Sequence, residues 1–319
     1  MDKLNIREAD RLEVTILMDN YTDHLLTEST GVCKRPQVPF PQILLAEHGF
    51  SCLIEVYAGK EEHIVLMDAS VTPACLFNNA KLLNVDFGRI EALALSHGHP
   101  DHFLGLVEIL KLLGNRRDKE VPLFLHPEAF LKRRLNIPAI GHPATLPVLD
   151  ECILKEAGAV PIKSVKASSI ASGLIYTTGE VERKTAFEKG FPWAEAKIDG
   201  NWVTDPFRDD QGLVVKVKGK GLVIISGCAH AGIINTVEYA KEITGTNKVH
   251  AVIGGFHLTG RLFDPIIQPT IDEMKKIKPD YIVPMHCTGW KAINRFAEEM
   301  PGQFLLNTVG TAYIFSGNP

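Results

Sequence analysis

The sequence lacks two features that would assign it at once to a broad class of protein. Basic residues are not in excess, since 34 Lys and Arg stand against 38 Asp and Glu and the formal net charge is −4. A nucleic-acid partner calls for a basic surface that meets phosphate groups, so we expect none here. No apolar run reaches the roughly eighteen residues that a membrane-spanning helix needs. We therefore expect no membrane partner either.

Paired cysteines are also missing. Six cysteines are scattered along the 319 residues without a Cys-x-x-Cys pair: Cys33, Cys52, Cys75, Cys152, Cys228 and Cys287. In a chain of this length the pattern is typical of reduced thiols. Residues 1–21 carry charge throughout and lack the apolar run of a secretory signal. We expect a cytoplasmic protein, and an oligomer remains compatible with everything in the sequence.

The first half of the chain is rich in predicted strands. Runs of Val, Ile and Leu, alternating or continuous, predict strands at 11–20, 50–58, 63–70, 90–96 and 121–126. Apolar residues at helical spacing predict helices at 75–85 and 103–114. We expect the second helix to end at Gly114, because glycine is a common residue just past a helix C-terminus.

The second half reads as a hairpin followed by an alternation of helix and strand. Two β-rich runs around Gly219-Lys220-Gly221 predict the hairpin over 212–227. Helices are predicted at 235–244, 269–277 and 289–300, and strands at 249–255, 281–286 and 312–317. Two mixed sheets packed face to face with helices outside would bury these strands, so we predict a four-layer αββα sandwich of the α/β class. A doubly wound single sheet is the alternative, which the two-part distribution of strands disfavours.

The densest group of reactive side chains is the segment 96–102, SHGHPDH, directly after a predicted strand. Strand ends are where α/β folds expose functional groups. Imidazole nitrogen suits zinc, iron, nickel or copper, and a carboxylate extends the choice to manganese or magnesium. A polar turn that caps a helix is the alternative, but three histidines and an aspartate this close favour a metal site. The four candidate ligands are His97, His99, Asp101 and His102.

The segment HGHPDH resembles the His-x-His-x-Asp-His signature of the metallo-β-lactamase fold superfamily. Short matches in the same order resemble its branch named for dihydropterin-ribofuranosylaminobenzene-phosphate synthase: LMDN (17–20), EHGFS (47–51), GEVER (179–183), DDQGLVVK (209–216), SGCAHAG (226–232), GGFHL (254–258) and HCTG (286–289). The resemblance covers nearly the whole chain and implies the αββα sandwich with a pair of metals. We expect a single domain over 1–319, with a lid or substrate-recognition insertion at about 127–207, where the strand and helix pattern weakens.

Three later histidines are candidates for completing the site, because each follows a predicted strand: His230, His257 and His286. In the superfamily the His-x-His pair and a third histidine hold one metal, and the Asp-His pair and a last histidine hold the other. The resemblance therefore implies two sets of ligands, with His97, His99 and His230 in one and Asp101, His102 and His286 in the other.

Several further residues have more than one interpretation. Ser226-Gly227-Cys228 stands where the superfamily has Thr-Gly-Asp, so Cys228 is either a ligand in place of the bridging carboxylate or a small buried residue. His257 is a ligand, a substrate contact or a hydrogen-bonding residue at a helix start. Asp209 and Asp210 are ligands or partners that fix a histidine tautomer. Asp68 resembles the superfamily's early structural aspartate, which lies behind the ligands.

The predicted chemistry is that of a metal-dependent hydrolase. A pair of ions lowers the pKa of a bound water and supplies hydroxide to attack a phosphoester, ester or related bond. We expect zinc, as two ions, with manganese, iron or magnesium as alternatives. Asp101 is the predicted catalytic residue, acting as ligand and base. The substrate is expected to be a small molecule; if it is phosphorylated, Arg183 and Lys184 are candidates to meet the phosphate, or else they are solvated loop charges.

Two other functions remain open. The family branch implies a transferase that joins a dihydropterin diphosphate to ribofuranosylaminobenzene phosphate and displaces diphosphate, as in methanopterin-type biosynthesis. The third possibility is a non-catalytic or redox role, such as binding or sensing through iron.

Overall fold

Two large mixed β-sheets form the centre of the computed structural model, which describes residues 3–117, 120–138 and 141–318. The first sheet has parallel strands on one side and antiparallel strands on the other. Its order in space is β10 (Ala159–Lys163), β7 (Val121–Leu125), β6 (Ala92–Ala94), β5 (Glu61–Met67), β4 (Ser51–Ala58), β2 (Arg11–Met18), β19 (Ala312–Ser316) and β3 (Cys33–Lys34). Every strand predicted in the first half is therefore present.

The second sheet contains the predicted hairpin. Its strands are β11 (Ser169–Ile170), β12 (Ile175–Thr177), β15 (Gly212–Val217), β16 (Gly221–Ser226), β17 (Val249–Gly255) and β18 (Tyr281–Met285), with β1 (Glu8–Ala9) beside β15. The hairpin strands β15 and β16 pair antiparallel, whereas β16, β17 and β18 run parallel. Strand β17 is buried along its whole length, as a parallel strand covered on both faces should be.

A third, small sheet was not predicted. Its strands, in spatial order, are β14 (Asn201–Thr204), β13 (Ala194–Ile198), β8 (Arg133–Leu135) and β9 (Ala144–Thr145). All four lie in the range 127–207 that the sequence suggested as an insertion, in which residues 139–140 fall outside the described residues. The middle of that range is part of the main sheets, because β10 extends the first sheet and β11 and β12 extend the second.

Helices cover the outer faces of both main sheets. They are α1 (Pro73–Leu82), α2 (Pro100–Phe103), α3 (Leu106–Arg117), α4 (Glu151–Glu156), α5 (Ile233–Thr244), α6 (Asp264–Ile277) and α7 (Trp290–Glu299). The prediction that Gly114 ends a helix was wrong, since α3 continues through it; a glycine inside a helix costs only about 1 kcal/mol. Among the described residues, no helix combines the length and the apolar character needed to cross a bilayer.

Three hydrophobic layers hold the architecture together. One lies between the two main sheets, with Val14 and Ile54 facing Val215 and Ile253. The second lies between the first sheet and α1, α3 and α4, and the third between the second sheet and α5, α6 and α7. Three cores separate four layers, so the predicted αββα sandwich is confirmed. The last strand, β19, joins the first sheet beside β2, whereas the first strand, β1, joins the second sheet beside β15.

Candidate metal centre

The ends of strands from both main sheets bring the predicted ligands together. The segment His97–His102 follows β6, and the segment from Cys228 to His230 follows β16. His257 follows β17 and His286 follows β18. Parallel strands expose their carboxyl ends at one edge of a sheet, and two sheets packed face to face place both edges side by side.

Within the described residues the donor atoms form three overlapping groups, in each of which the atoms lie within 4.8 Å of one another. The first group holds His97, His99 and His230. The second holds Asp101, His102, Cys228 and His286. These are the two sets that the resemblance implied, with Cys228 added to the second. The third group holds Cys228, His230 and His257.

Several ring nitrogens of these histidines are buried with no hydrogen-bond partner among the residues that the structure describes: His97 Nε2, His99 Nε2, His230 Nδ1, His286 Nε2 and both nitrogens of His257. A buried polar atom without a partner costs on the order of 1–3 kcal/mol. Converging imidazoles with buried, unpaired nitrogens are the arrangement expected of metal ligands, because a bound ion would satisfy those nitrogens. The donor set therefore fits the metals that the fold family implies.

The protonation states of the first donor group and of Asp101 suit metal ligands. Burial lowers the pKa of His99 to about 3 and holds the pKa values of His97 and His230 well below the ordinary value. Each of these rings is neutral at neutral pH and keeps a lone pair available for a cation. Burial opposes ionisation of Asp101, but His102 and His286 hold its pKa below the usual range, so it is a carboxylate.

Asp68 fixes the orientation of His102. Its Oδ2 lies 2.6 Å from His102 Nδ1, and both side chains are fully buried. This bond leaves His102 Nε2 pointing at Cys228 Sγ, 3.2 Å away. Burial lowers the pKa of His102, but Asp101 and Asp68 outweigh burial and raise it to about 9. Asp68 thus has the place expected from the sequence, behind a candidate ligand.

Asp209 supports the turn that carries His97 and His99. One carboxylate oxygen accepts a hydrogen bond of 2.8 Å from the backbone N–H of Gly98, and the other accepts one of 2.7 Å from Arg133. The guanidinium of Arg133 also donates to Asp205 over 2.7 Å. Asp209 contacts the metal centre through backbone and does not itself belong to any of the donor groups.

Three residues support the loop that carries His230. Asp210 accepts a hydrogen bond of 2.9 Å from the N–H of Ala231, and Arg183 donates to the carbonyl oxygen of His230 over 3.3 Å. Glu188 accepts from the first free amides of helix α5, Ile234 and Asn235, each over 2.9 Å. Arg183 therefore contacts the centre through backbone.

Lys184, the other candidate for a phosphate contact, lies elsewhere. Its Nζ is 2.6 Å from Glu242 and 3.2 Å from Glu182, in an exposed ion pair. Lys184 does not line the cavity onto which the donor groups open.

Sequence reasoning missed the residues that hold His286. Asp19 accepts a hydrogen bond of 2.9 Å from the backbone N–H of His286, and Asn20 donates one of 3.0 Å to its carbonyl oxygen. Asn20 Oδ1 also lies 3.2 Å from His286 Nδ1. Both residues belong to LMDN, one of the short matches quoted for the family branch, so a signal for them was present in the sequence without a role attached.

Backbone strain occurs at the same edge of the sandwich. Several residues other than glycine have φ between 46° and 59°, the left-handed region: Asp68, Phe207, Ala229, His257 and His286. Each such residue costs of order 1–3 kcal/mol and persists only where its surroundings enforce the conformation, and strain of this kind clusters at functional sites.

The donor groups open onto a cavity of about 480 Å³. Its floor includes His99, Asp101, Cys228, His230 and His257. Its walls are mostly apolar and include Leu104, Leu135, Leu146, Pro147 and Phe191. His48 lies at the edge, with its ring stacked on that of His286 at 5.1 Å. A ligand in this cavity would meet the metal donors at one end and apolar surface elsewhere.

Comparison with known proteins agrees with this architecture. No protein-family model matches the chain. The chain is 34% identical over 304 residues to the 7,8-dihydropterin-6-methyl-4-(β-D-ribofuranosyl)-aminobenzene-5′-phosphate synthase of Methanocaldococcus jannaschii, covering 94% of this chain and 96% of the relative.

Solved structures show the same fold. A metal-dependent hydrolase of the β-lactamase superfamily superposes with a TM-score of 0.72 at 23% identity, over 96% of this chain and 99% of the other. The metallo-β-lactamase fold protein YhfI from Bacillus subtilis superposes with a TM-score of 0.52 at 11% identity, over 96% and 100%. The fold, the order of the motifs and the identity over nearly the full length of both chains lead to one assignment: the chain has the metallo-β-lactamase fold and belongs to the family of the dihydropterin-ribofuranosylaminobenzene-phosphate synthase.

Proposed function

We propose that this chain is a metal-dependent transferase that joins a ring-bearing diphosphate to an arylamine and releases diphosphate. The observation that carries the proposal is the position of the donor groups at the floor of a mostly apolar cavity. Identity to the named synthase over nearly the whole of both chains supports the same reaction. The substrates would be a dihydropterin methyl diphosphate and ribofuranosylaminobenzene phosphate.

Two ions are proposed at the centre, and zinc suits donors that combine imidazole, carboxylate and thiol groups. His97, His99 and His230 would hold one ion, and Asp101, His102, Cys228 and His286 would hold the other. When bound, such ions neutralise the charge on phosphate oxygens and so stabilise a departing diphosphate.

In the proposed step, the bond between the methyl carbon and the diphosphate oxygen breaks, and the diphosphate leaves with the electron pair. A bond forms between that carbon and the arylamine nitrogen, which gives up one proton. Water would compete with the amine for the same carbon. The apolar walls at Leu135, Leu146 and Phe191 favour a planar ring and disfavour ordered water, which supports transfer over hydrolysis.

The third sheet and the loop through Phe191 supply much of this wall, since Leu135 lies in β8. Arg133, in the same strand, is tied to Asp209 by an ion pair of 2.7 Å between side chains that are both nearly inaccessible to solvent. We therefore propose that the range 127–207 contributes a substrate-recognition wall that is anchored to the metal centre.

Asp101 and His48, which both line the cavity, are the candidates to accept the proton that the arylamine gives up. Asp101 stays ionised because its pKa is held low, so it orients neighbours well but is a weak base. His48 Nε2 lies 3.6 Å from Asp101 Oδ2, and its pKa is lowered by partial desolvation at the cavity edge and by the neighbouring His286, so it is neutral at neutral pH. We assign orientation to Asp101 and acceptance of the amine proton to His48 Nε2.

Hydrolysis is the second candidate function. Asp101 is 18% exposed, so its carboxylate can contact a water that enters the cavity. A water placed there beside the metal donors would be directed at a phosphoester or ester.

The cytoplasm remains the proposed location, and the absence of disulfides among the six cysteines supports a reducing compartment.

The two functions separate in a single assay. Purified protein with zinc is incubated with the pterin diphosphate alone, with the arylamine alone and with both, and the release of diphosphate and the coupled product are measured. Transfer predicts coupled product and diphosphate only when both are present. Diphosphate or phosphate released equally without the arylamine would refute transfer and favour hydrolysis. Replacing His97 and His99 by Ala is the control, and both activities should be lost.

A further inference from the structure

The third donor group is not part of the two-ion arrangement that the family implies. It consists of Cys228, His230 and His257, and we call it the cavity-facing triad. It shares His230 with the first proposed ion position and Cys228 with the second. His257 belongs to the triad alone.

The triad differs from the other groups in what it faces. All three of its side chains line the 480 Å³ cavity, whereas His97, His102 and His286 do not line it. Both ring nitrogens of His257 are buried and without a hydrogen-bond partner among the described residues. A histidine that is only a packing residue would ordinarily satisfy at least one nitrogen.

The surrounding structure holds the triad in place. The His257 ring lies between His230, at a centroid distance of 4.1 Å, and Phe263, at 4.8 Å. Its backbone has φ 46°, a conformation that few L residues adopt without being forced to. These contacts position the imidazole at the cavity floor between two aromatic rings.

Gly255 allows Cys287 to approach Cys228. A Cβ atom on Gly255 would lie 2.6 Å from Cys287 Sγ, too close for a real contact. The Cys287 thiol donates to the carbonyl oxygen of Cys228 over 3.5 Å and also lines the cavity. Sulfur is therefore concentrated on the side of the centre where a substrate would enter.

We propose that the cavity-facing triad is a third ion position, selective for a thiophilic divalent cation such as zinc, cobalt or cadmium, and that filling it inhibits the enzyme. One thiolate and two imidazoles form a donor set that such cations prefer to magnesium or manganese. An ion there withdraws His230 from one catalytic position and Cys228 from the other, and it occupies the floor on which the substrate must rest. The inhibition rests on the proposed function, whereas the ion position itself does not.

Binding is tested in a variant that lacks both proposed catalytic positions. The triple variant His97→Ala, His102→Ala, His286→Ala leaves at most two donors in either group and keeps the triad complete. Titrated with Co²⁺, it should bind one ion with the near-ultraviolet absorption of a sulfur-to-cobalt charge transfer. Adding His257→Ala should weaken binding by about tenfold or more, the least expected for loss of a metal-supporting residue. Adding His250→Ala, which alters a histidine near the start of β17, the strand that precedes His257, should change nothing.

Absence of the sulfur-to-cobalt absorption in a folded triple variant would overturn the proposal, as would equal Co²⁺ affinity with and without His257. Circular dichroism establishes folding. If the triple variant does not fold, zinc-loaded chain carrying only His257→Ala is titrated with Cd²⁺ beside the unaltered chain and His250→Ala. The weakest class of Cd²⁺ sites should lose at least about tenfold in affinity in His257→Ala alone, and identical titrations would refute the triad. If the chain catalyses transfer normally but the titrations are identical, only this inference is refuted. If the chain binds Cd²⁺ at the triad but does not catalyse transfer, only the proposed function is refuted.

Discussion

Replacing Arg133 by methionine should destabilise the protein severely, because it leaves two buried carboxylates without their counter-charge. Arg133 is 2% exposed and donates to Asp205 and Asp209, each over 2.7 Å. Methionine keeps most of the volume and removes the charge. Removing one partner of a buried ion pair typically costs about 3–5 kcal/mol, so we expect a loss of that size in the free energy of unfolding, measured in urea at constant pH.

The adjacent residue provides a matched control. Arg134 lies in the same strand, pairs with the more exposed Glu195 and stacks over Trp202. Exposed ion pairs contribute about 0–1 kcal/mol, so Arg134→Met should cost little. A loss below about 1 kcal/mol for Arg133→Met, or equal losses for the two variants, would refute the reasoning, because the burial of the ion pair is what makes the two positions differ.

The same substitution should weaken metal binding. Asp209 is held by Arg133 and in turn holds the N–H of Gly98, which lies between two proposed ligands. Loss of residues that orient metal ligands typically costs about 10–100-fold in metal affinity. Zinc affinity, measured by competition with a chelator at a temperature where Arg133→Met is still folded, should fall by that factor and be unchanged in Arg134→Met.

Four other substitutions test separate parts of the structure. Burial raises the pKa of Glu188 above its ordinary 4.5, so just above pH 4.5 the folded protein holds a proton that the unfolded chain has lost. The free energy of unfolding should therefore fall as pH rises from about 4.5 through the folded-state pKa. Glu188→Gln should flatten that dependence, measured by urea unfolding. Gly98→Ala places a Cβ 2.1 Å from the carbonyl oxygen of Ala129 and should lower both thermal stability and zinc affinity. Gly114 lies inside α3 with open space around it, so Gly114→Ala should raise the free energy of unfolding by about 0.5–1 kcal/mol. His48→Gln should lower kcat for transfer about 10²-fold or more and leave zinc content unchanged; an unchanged kcat would exclude His48 as the proton acceptor.

Much of the fold could be predicted because hydrophobic periodicity encodes it locally. Strand β17 lies at the predicted residues 249–255, and the hairpin of β15 and β16 lies where Gly219-Lys220-Gly221 indicated a turn. The third sheet was missed because its strands are two to five residues long and leave little alternation to detect. The helix predicted to begin at Pro269 starts at Asp264, since burial of an amphipathic face outweighs the local signal of the proline.

The site divides in the same way between local and distant information. The segment His97–His102 is contiguous, so its chemistry was readable from the sequence alone. Its supports are not, since Arg133 meets Asp205 and Asp209 across more than seventy residues. No pattern in the sequence marks Arg133, which stands in a run of basic residues and becomes special only through its burial. The Asp19 contact to His286 spans 267 residues and is equally invisible before folding.

The central claim is that converging histidine, aspartate and cysteine side chains hold metal at the floor of the cavity. Anomalous diffraction from crystals of zinc-loaded protein, collected at the zinc absorption edge, tests it most directly. We predict one peak among His97, His99 and His230 and a second among Asp101, His102, Cys228 and His286. Crystals of active protein with no anomalous peak within bonding distance of these donors would contradict the account.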